Sequence, residues 1–233
     1  MTNARLERSL FVLGLVASLV LAGGVGASRA QAFHVASTFV APPGAGGGGG
    51  LFYVGSPRER GWTCETCHVD APHRLRLTLD VAPGAILGDP TAPPAPSLLE
   101  TPAYVPGASY HFDVAMAEPQ AELGRAATRS NYNAIVASFL DASDLTAGRI
   151  SGIAADRFTV TDQAILASSS TQVGVTSWSF DWIAPPAGTG PVTLYLAVVD
   201  GNGAGSDATR TLTDPFGDDV VVTRLRFDEL PSD

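Results

Sequence analysis

Strict alternation of apolar and polar residues is the strongest constraint that this sequence places on its fold. The clearest case is the stretch "SWSFDWI", Ser177–Ile183, in which Trp178, Phe180 and Trp182 alternate with polar residues. Because successive side chains of a β-strand point to opposite faces of the sheet, this pattern predicts a strand with one buried face. The same alternation recurs over residues 110–116, where every second residue is again apolar.

Further strands follow from the same criterion, and turn signals separate them. They are predicted over Arg74–Val81, Asn133–Leu140, Arg157–Thr161, Thr176–Ile183, Pro191–Val199 and Val220–Phe227. Proline and glycine turns such as Val105-Pro106-Gly107 lie between the strands. Short strands punctuated in this way, with no long helical period, predict an all-β fold, an immunoglobulin-like antiparallel β-sandwich over residues 74–230.

The N-terminus has the composition of an export signal. Arg5 and Arg8 precede an apolar run from Leu10 to Leu21, and Ala30-Gln31-Ala32 fits a cleavage site. The apolar run is too short to act as a membrane anchor. We therefore predict a signal peptide over residues 1–32 and a periplasmic or secreted mature chain without a membrane span.

The segment after the predicted cleavage site is rich in glycine and proline. It contains Pro42-Pro43-Gly44 and the run Gly46–Gly50, and we predict a flexible stretch over residues 33–60. The next segment, residues 61–73, carries both cysteines of the chain.

The charge of the chain excludes two classes of function. The formal net charge is −9, and no lysine occurs in the sequence. Proteins that bind nucleic acid or anionic membranes carry basic patches, so neither function is expected here. An acidic surface would instead suit a basic partner protein, for example a redox partner.

The two cysteines form the motif "GWTCETCH", in which Cys64 and Cys67 are followed directly by His68. The C-x-x-C-H spacing is typical of c-type haem attachment. Both thiols would add to the vinyl groups of haem c, and the imidazole of His68 would be the proximal iron ligand. Haem c is attached outside the cytoplasm, which agrees with the predicted export signal. The motif thus predicts an exported monohaem protein that transfers single electrons.

Three other chemistries remain open for the same residues. Exported cysteine pairs usually oxidise, so a Cys64–Cys67 disulfide in a haem-free extracellular binding or adhesion module is the main alternative. A zinc or iron clip could add His68 and His73 to the two thiols, although four ligands within ten residues would be compact. A thioredoxin-like redox pair would require a βαβ pattern, which the sequence lacks.

The second axial ligand of the iron would decide what a haem here does. Candidates are His34, His73, His111 and Met116. A histidine or methionine would give an electron carrier, whereas an open position would permit binding of a small ligand or peroxide chemistry. We consider His111 the distal candidate because it lies on the polar face of its strand. An ordinary exposed strand histidine explains the same position, and Met116 fits the apolar core.

Calcium is a weaker possibility. Asp200-Gly201-Asn202-Gly203 is followed by Asp207, and Asp214, Asp218 and Asp219 could add carboxylates. The spacing does not match an EF-hand loop, and a turn between two strands explains the same residues. No hydrolase or phosphate-loop motif occurs, which favours an electron carrier or a binding module over an enzyme.

Several motifs together resemble a known family. The stretches "YVPGASYHFDV", "AIVASFLDASDLTAGRI" and "SWSFDWIAPPAGTGPVTLYLAVVDGNG" are similar to the Reeler-like β-sandwich of bacterial exported proteins, often called the choice-of-anchor V type. In that family a glycine-rich segment and a C-x-x-C-H motif precede the sandwich, as "GSPRERGWTCETCH" does here. The resemblance covers about residues 51–228 and implies an immunoglobulin-like sandwich, secretion and, through the motif, covalent haem. Many members carry a C-terminal sorting anchor, and the residues up to Asp233 do not lead us to expect one here.

Overall fold

Strands dominate the computed structural model, which describes residues 36–45, 47–87, 91, 93–120, 133–151, 159–160, 164–167, 174–202 and 216–231. The helix α1 (Ala36–Val40) and three short 3-10 turns precede the first strand. In chain order the strands are β1 (Arg76–Val81), β2 (Ala85–Ile86), β3 (Ala103–Tyr104), β4 (Ala108–Ala117), β5 (Asn133–Leu140), β6 (Arg149–Ser151), β7 (Thr159–Val160), β8 (Ile165–Ala167), β9 (Ser177–Ile183), β10 (Val192–Asp200) and β11 (Asp219–Glu229).

The strands form two sheets, with an apolar core whose members come from both. In the described part of the chain, the first sheet has the order β1-β4-β9-β6, with β2 also paired to β4. The second sheet has the order β3-β11-β10-β5-β8-β7. Pairing is antiparallel except between β11 and β3, which run parallel. The chain is therefore an all-β sandwich, as the sequence predicts.

The inner face of the first sheet follows directly from the alternation in the sequence. Tyr110 of β4 lies opposite Trp182 of β9, and Phe112 lies opposite Phe180. All four side chains are fully buried, and the rings of Phe112 and Phe180 stack with their centroids 5.2 Å apart. Aromatic pairs of this kind on one sheet face stabilise the pairing of the strands beyond the burial of their area.

The central strands of the second sheet, β5 and β10, are buried on both faces. Along β5 and β10, residues from both faces are inaccessible to solvent, and alternate residues belong to two separate apolar clusters. One cluster is the core between the sheets. The other covers the outer face of the second sheet and includes Phe39, Phe52 and Val54 from the N-terminal part of the chain.

The structure differs here from the flexible stretch expected over residues 33–60. Phe39 and Phe52 are buried and stack with their ring centroids 6.2 Å apart, and Val54 is fully inaccessible. Apolar side chains interrupt the glycine-rich composition at these positions. Their burial against an apolar sheet face outweighs the flexibility that glycine confers.

The predicted strands agree well with those observed. The strand predicted over Asn133–Leu140 has the same bounds in the structure, and the other long strands differ by one or two residues at their ends. The predicted strand over residues 157–161 lies partly outside the described residues, which include only β7 from it. The short strands β2, β3, β6 and β8 were not predicted, because two or three residues are too few to show a period.

No helix in the described ranges is long and apolar enough to cross a membrane. The predicted signal peptide over residues 1–32 lies outside the described residues.

Candidate functional site

The two cysteines and the following histidine lie in one tight turn. Cys64–Thr66 form a 3-10 turn, and the backbone N–H groups of Cys67 and His68 both donate to the carbonyl oxygen of Cys64, at 3.1 and 2.9 Å. This turn contacts β10 and β11 of the second sheet. Cys64, Cys67 and His68 therefore share one backbone turn, which lies against the second sheet.

Cys64 and Cys67 are both free thiols, and their surroundings differ. Cys64 is buried in the outer apolar cluster with Val54, Tyr195 and Val220, whereas Cys67 is partly exposed. Burial raises the pKa of Cys64 to about 12, with smaller contributions from the charge of Glu59 and from Cys67. Burial also raises the pKa of Cys67. Both sulfurs are thus kept in a neutral form, and Cys64 most strongly.

His68 is fixed by a carboxylate from the far end of the sequence. Its Nδ1 lies 2.8 Å from Oδ2 of Asp218, and both side chains are largely buried. The other oxygen of Asp218 accepts a hydrogen bond from the backbone N–H of Asn202 at 2.9 Å. Since Nδ1 is engaged by Asp218, Nε2 is the imidazole nitrogen that remains available to a ligand.

Asp219 anchors the chain on the other side of the motif. Its Oδ2 accepts hydrogen bonds from the backbone N–H groups of Arg74 and Leu75, at 2.7 and 2.8 Å. In addition, the N–H of Gly217 donates to the carbonyl of Val69 at 2.9 Å. The loop that leads into β11 therefore holds the motif segment at several points along its length.

A buried carboxylate supports the chain that precedes the motif. Glu59 is 3% exposed and accepts hydrogen bonds from the N–H groups of Phe52 and Val54, at 2.8 and 2.7 Å. Desolvation raises the pKa of Glu59, and the hydrogen bonds from Val54 and Phe52 oppose that shift. Arg58 fastens the same turn to the sandwich, because its Nε and Nη2 both donate to the carbonyl oxygen of Asp144.

An exposed tryptophan lies two residues before Cys64 in the sequence. Trp62 is 45% exposed, and its ring stacks on Tyr53 with centroids 6.4 Å apart and planes 11° apart. Burial is the main cause that raises the pKa of Tyr53, and the neighbouring Cys67, Glu59 and Cys64 add to it. The tryptophan is thus an edge residue of the motif segment rather than part of the core between the sheets.

The structure does not bring His111 to the motif. His111 lies on the outer face of the first sheet, where its Nδ1 is 2.6 Å from Oδ1 of Asp181. That hydrogen bond raises the pKa of His111. Cys64 packs on the outer face of the second sheet, so both sheets and the core between them separate the two side chains. His111 therefore cannot reach an iron bound at His68 of the same molecule.

The other candidates for a second axial ligand are placed as follows. Met116 is buried in the core between the sheets, as its apolar face predicts. His73 is exposed, with a positive φ of 53°. His34 lies outside the described residues.

The donor set, two thiols and an imidazole whose Nδ1 faces a carboxylate, consists of the residues that covalent haem would require. Zinc ligation and dithiol exchange both require thiolates, which the buried environment of Cys64 disfavours. A thioether is neutral and suits an apolar cluster. Within the described ranges, no three His, Cys, Asp or Glu side chains converge closely enough to hold a metal ion. The compact clip of Cys64, Cys67, His68 and His73 is therefore not formed.

The candidate calcium ligands have other roles in the described part of the chain. Asp218 binds His68, Asp219 binds backbone N–H groups, and Oδ2 of Asp200 accepts the N–H of Gln120 at 2.7 Å. Asp207 and Asp214 lie outside the described residues. The sequence analysis missed the pairing of Asp218 with His68 and the burial of Glu59. The only hint was the adjacent pair Asp218-Asp219 at the start of an apolar strand.

Comparisons with known proteins find similarity among solved structures only. No protein-family model matches the chain, and no curated protein matches it. The reeler domain of human F-spondin is 22% identical, with a TM-score of 0.37 and coverage of 65% of this chain and 88% of that domain. The Reelin-N domain of F-spondin is also 22% identical, with a TM-score of 0.39 and coverage of 66% and 86%.

Both neighbours are domains of F-spondin. At this level of similarity they carry no argument about function, which depends on the residues of the site itself.

Proposed function

We propose that this chain is an exported β-sandwich module that carries one covalent haem c and transfers single electrons. Cys64 and Cys67 would hold the haem through thioether bonds, and Nε2 of His68 would be the proximal iron ligand. The group supplies a one-electron redox centre when bound. The role of the sandwich is to hold the motif turn and to exclude water from the apolar side of the site.

The observation that carries this proposal is the contact between the imidazole of His68 and the carboxylate of Asp218. The imidazole lies in the same turn as both thiols, and Asp218 engages its Nδ1 at 2.8 Å. Ligating histidines almost always donate their other ring N–H to a carboxylate, a carbonyl or water, which fixes the tautomer and the ring orientation. The contact between His68 and Asp218 supports this role, because it occupies Nδ1 and would leave Nε2 to ligate the iron.

Haem attachment requires both thiols, and the burial of Cys64 limits when during folding the haem can be attached. Cys64 is enclosed by the outer apolar cluster in the folded chain. We therefore expect haem to be attached before the motif segment closes onto the second sheet. The thioether of Cys64 would then become buried as the chain folds.

The test is the mass and spectrum of protein exported from a host with a cytochrome c maturation system. We expect the intact mass to exceed that of the mature chain by one haem, with a c-type pyridine haemochrome spectrum. Cys67→Ala and His68→Ala should each reduce the haem content severely. His73→Asn is the matched control, because His73 is exposed and asparagine tolerates its positive φ.

A colourless protein would contradict the proposal. If its mass were also two hydrogens below that of the reduced chain, a Cys64–Cys67 disulfide would be present. The sandwich would then be better regarded as an extracellular binding module.

A further inference from the structure

We propose that Asp218 is a positioning residue that lowers the reduction potential of the haem by making His68 a stronger ligand. This inference deepens the proposed function and rests on it. Asp218 is not part of the motif, and 150 residues of sequence separate it from His68.

The geometry of the pair gives the carboxylate a strong influence on the imidazole. The distance between Nδ1 of His68 and Oδ2 of Asp218 is 2.8 Å, and the side chains are 14% and 9% exposed. Hydrogen bonds to an ionised group are stronger than neutral ones, and low solvent access strengthens them further. Water therefore screens this interaction less than it would at the surface.

Asp218 is itself held in place by the fold. Its Oδ1 accepts the N–H of Asn202 at 2.9 Å, and the side-chain amide of Asn202 donates to the carbonyl of Phe216 at 2.7 Å. Both oxygens of Asp218 are thus engaged, which fixes the direction of Oδ2. No arginine in the described part of the chain forms an ion pair with Asp218, so its charge acts on His68.

The effect on the iron follows from ligand basicity. A carboxylate that accepts the Nδ1–H bond increases the electron density at Nε2. A more basic ligand stabilises the oxidised iron more than the reduced iron, and hydrogen bonding of this kind is one of the means by which proteins tune haem potentials. We therefore expect the potential of a haem bound at His68 to be lower with Asp218 than without it.

The first experiment is a spectroelectrochemical titration of the haem-loaded chain. We expect Asp218→Asn to shift the midpoint potential to a more positive value, because the neutral amide oxygen is a weaker acceptor. Asp219→Asn is the matched control, since it removes a neighbouring buried charge that contacts backbone N–H groups rather than His68. An unchanged potential in Asp218→Asn would overturn the inference, and so would an equal shift in both variants.

The second experiment does not need haem. Two-dimensional proton–nitrogen spectra of the haem-free chain report which ring nitrogen of His68 carries a proton. We expect Nδ1 to be protonated in the wild-type chain and to lose that preference in Asp218→Ala. A wild-type Nδ1 without a proton would contradict the proposed role of Asp218.

The two experiments separate the possible failures. A chain that attaches no haem would overturn the proposed function and, with it, the effect on potential. The spectra of the haem-free chain would still decide whether Asp218 holds Nδ1. If the haem-loaded wild type and Asp218→Asn have the same midpoint potential, the proposed function stands and only this inference is overturned.

Discussion

Cys64 and Cys67 are expected to differ in reactivity because they are buried to different extents. The thiolate is the reactive form of cysteine, and a pKa of about 12 at Cys64, against an ordinary value of 9.0, leaves about a thousandfold less thiolate at neutral pH. Cys67 is partly exposed and more weakly affected. The motif thus contains one accessible and one protected thiol before any haem is attached.

We predict that iodoacetamide modifies Cys67 before Cys64 in the reduced, haem-free chain. Cys64 should react only when denaturant opens the outer apolar cluster. Mass spectrometry of peptides taken at successive times measures both rates. In Cys67→Ser the remaining thiol is Cys64, and we expect it to react with iodoacetamide slowly in native buffer and rapidly in denaturant. Equal rates for the two native thiols would contradict the burial of Cys64.

Glu59 should make stability depend on pH in a direction opposite to that of most carboxylates. Its pKa in the folded chain is raised above its ordinary value of 4.5, mainly by desolvation. The unfolded chain therefore releases this proton first as pH rises. The contribution of Glu59 to stability is complete below the unfolded pKa and is lost as pH rises through the folded pKa.

Only the wild-type side chain titrates, so we predict that the free energy of unfolding of Glu59→Gln minus that of wild type becomes more positive as pH rises above about 4.5. Urea unfolding at several pH values gives the free energy of unfolding for both chains. Glu65→Gln is the control, since Glu65 is exposed. The difference in free energy of unfolding between Glu65→Gln and wild type should not change with pH in this way. A pH-independent difference for Glu59→Gln would contradict the raised pKa.

At the scale of single elements, the turn that precedes β6 depends on a glycine. Gly148 has a φ of 76°, and a Cβ atom there would lie 2.4 Å from the carbonyl oxygen of Ile183 and 2.5 Å from Nε1 of Trp182. The same indole nitrogen donates to the carbonyl of Ala147 at 3.0 Å. Gly107 has a nearly identical φ of 75°, but no atom lies within 4 Å of its Cβ position.

We predict that Gly148→Ala destabilises the chain more than Gly107→Ala. The positive φ costs about 1–2 kcal/mol in both variants, and the clash at Gly148 adds about 1–3 kcal/mol. Thermal or urea unfolding measures the two free energies. Because the backbone cost is shared, their difference isolates the clash with Ile183 and Trp182. If Gly148→Ala and Gly107→Ala lost equal stability, the neighbours of Gly148 would have shifted to accommodate the added Cβ at no cost in free energy.

The long strands could be predicted, whereas the pairings between strands could not. Alternation identified the buried residues of β4 and β9, because side-chain direction along a strand is a local property. The apolar runs of β5 and β10 indicate strands buried on both faces, but they do not say what covers the second face. The covering residues, Phe39 and Phe52, come from a segment whose composition alone predicts flexibility.

Over the whole molecule, the motif segment and the sandwich share one apolar cluster. Phe52, Val54 and Cys64 belong to the same cluster as Val136 and Tyr195 of the second sheet. We predict that Phe52→Ala lowers the free energy of unfolding by about 3–5 kcal/mol in a single cooperative transition. The exposed residue Leu145 gives the control, since Leu145→Ala should cost less than about 0.5 kcal/mol. Separate unfolding of the motif segment, seen by fluorescence or hydrogen exchange, would contradict this view.

The position of His111 gives a second test at this scale. His111 and Cys64 lie on opposite outer faces of the sandwich. We predict that His111→Gln leaves the visible spectrum and the potential of the haem-loaded chain unchanged. Absorption spectra of both oxidation states check this directly. A change in the Soret band would mean that the residue reaches the iron, which would require a second copy of the chain.

Local sequence was sufficient for the all-β class, for the buried faces of β4 and β9, and for the grouping of Cys64, Cys67 and His68. Each depends on the direction or proximity of residues only a few positions apart. Tertiary structure alone decided that Asp218 binds His68, that His111 lies across the sandwich, and that Phe52 and Val54 pack on the second sheet. These contacts join residues that are far apart in sequence, and they arise from strand pairing and the burial of a second sheet face, which no local period encodes.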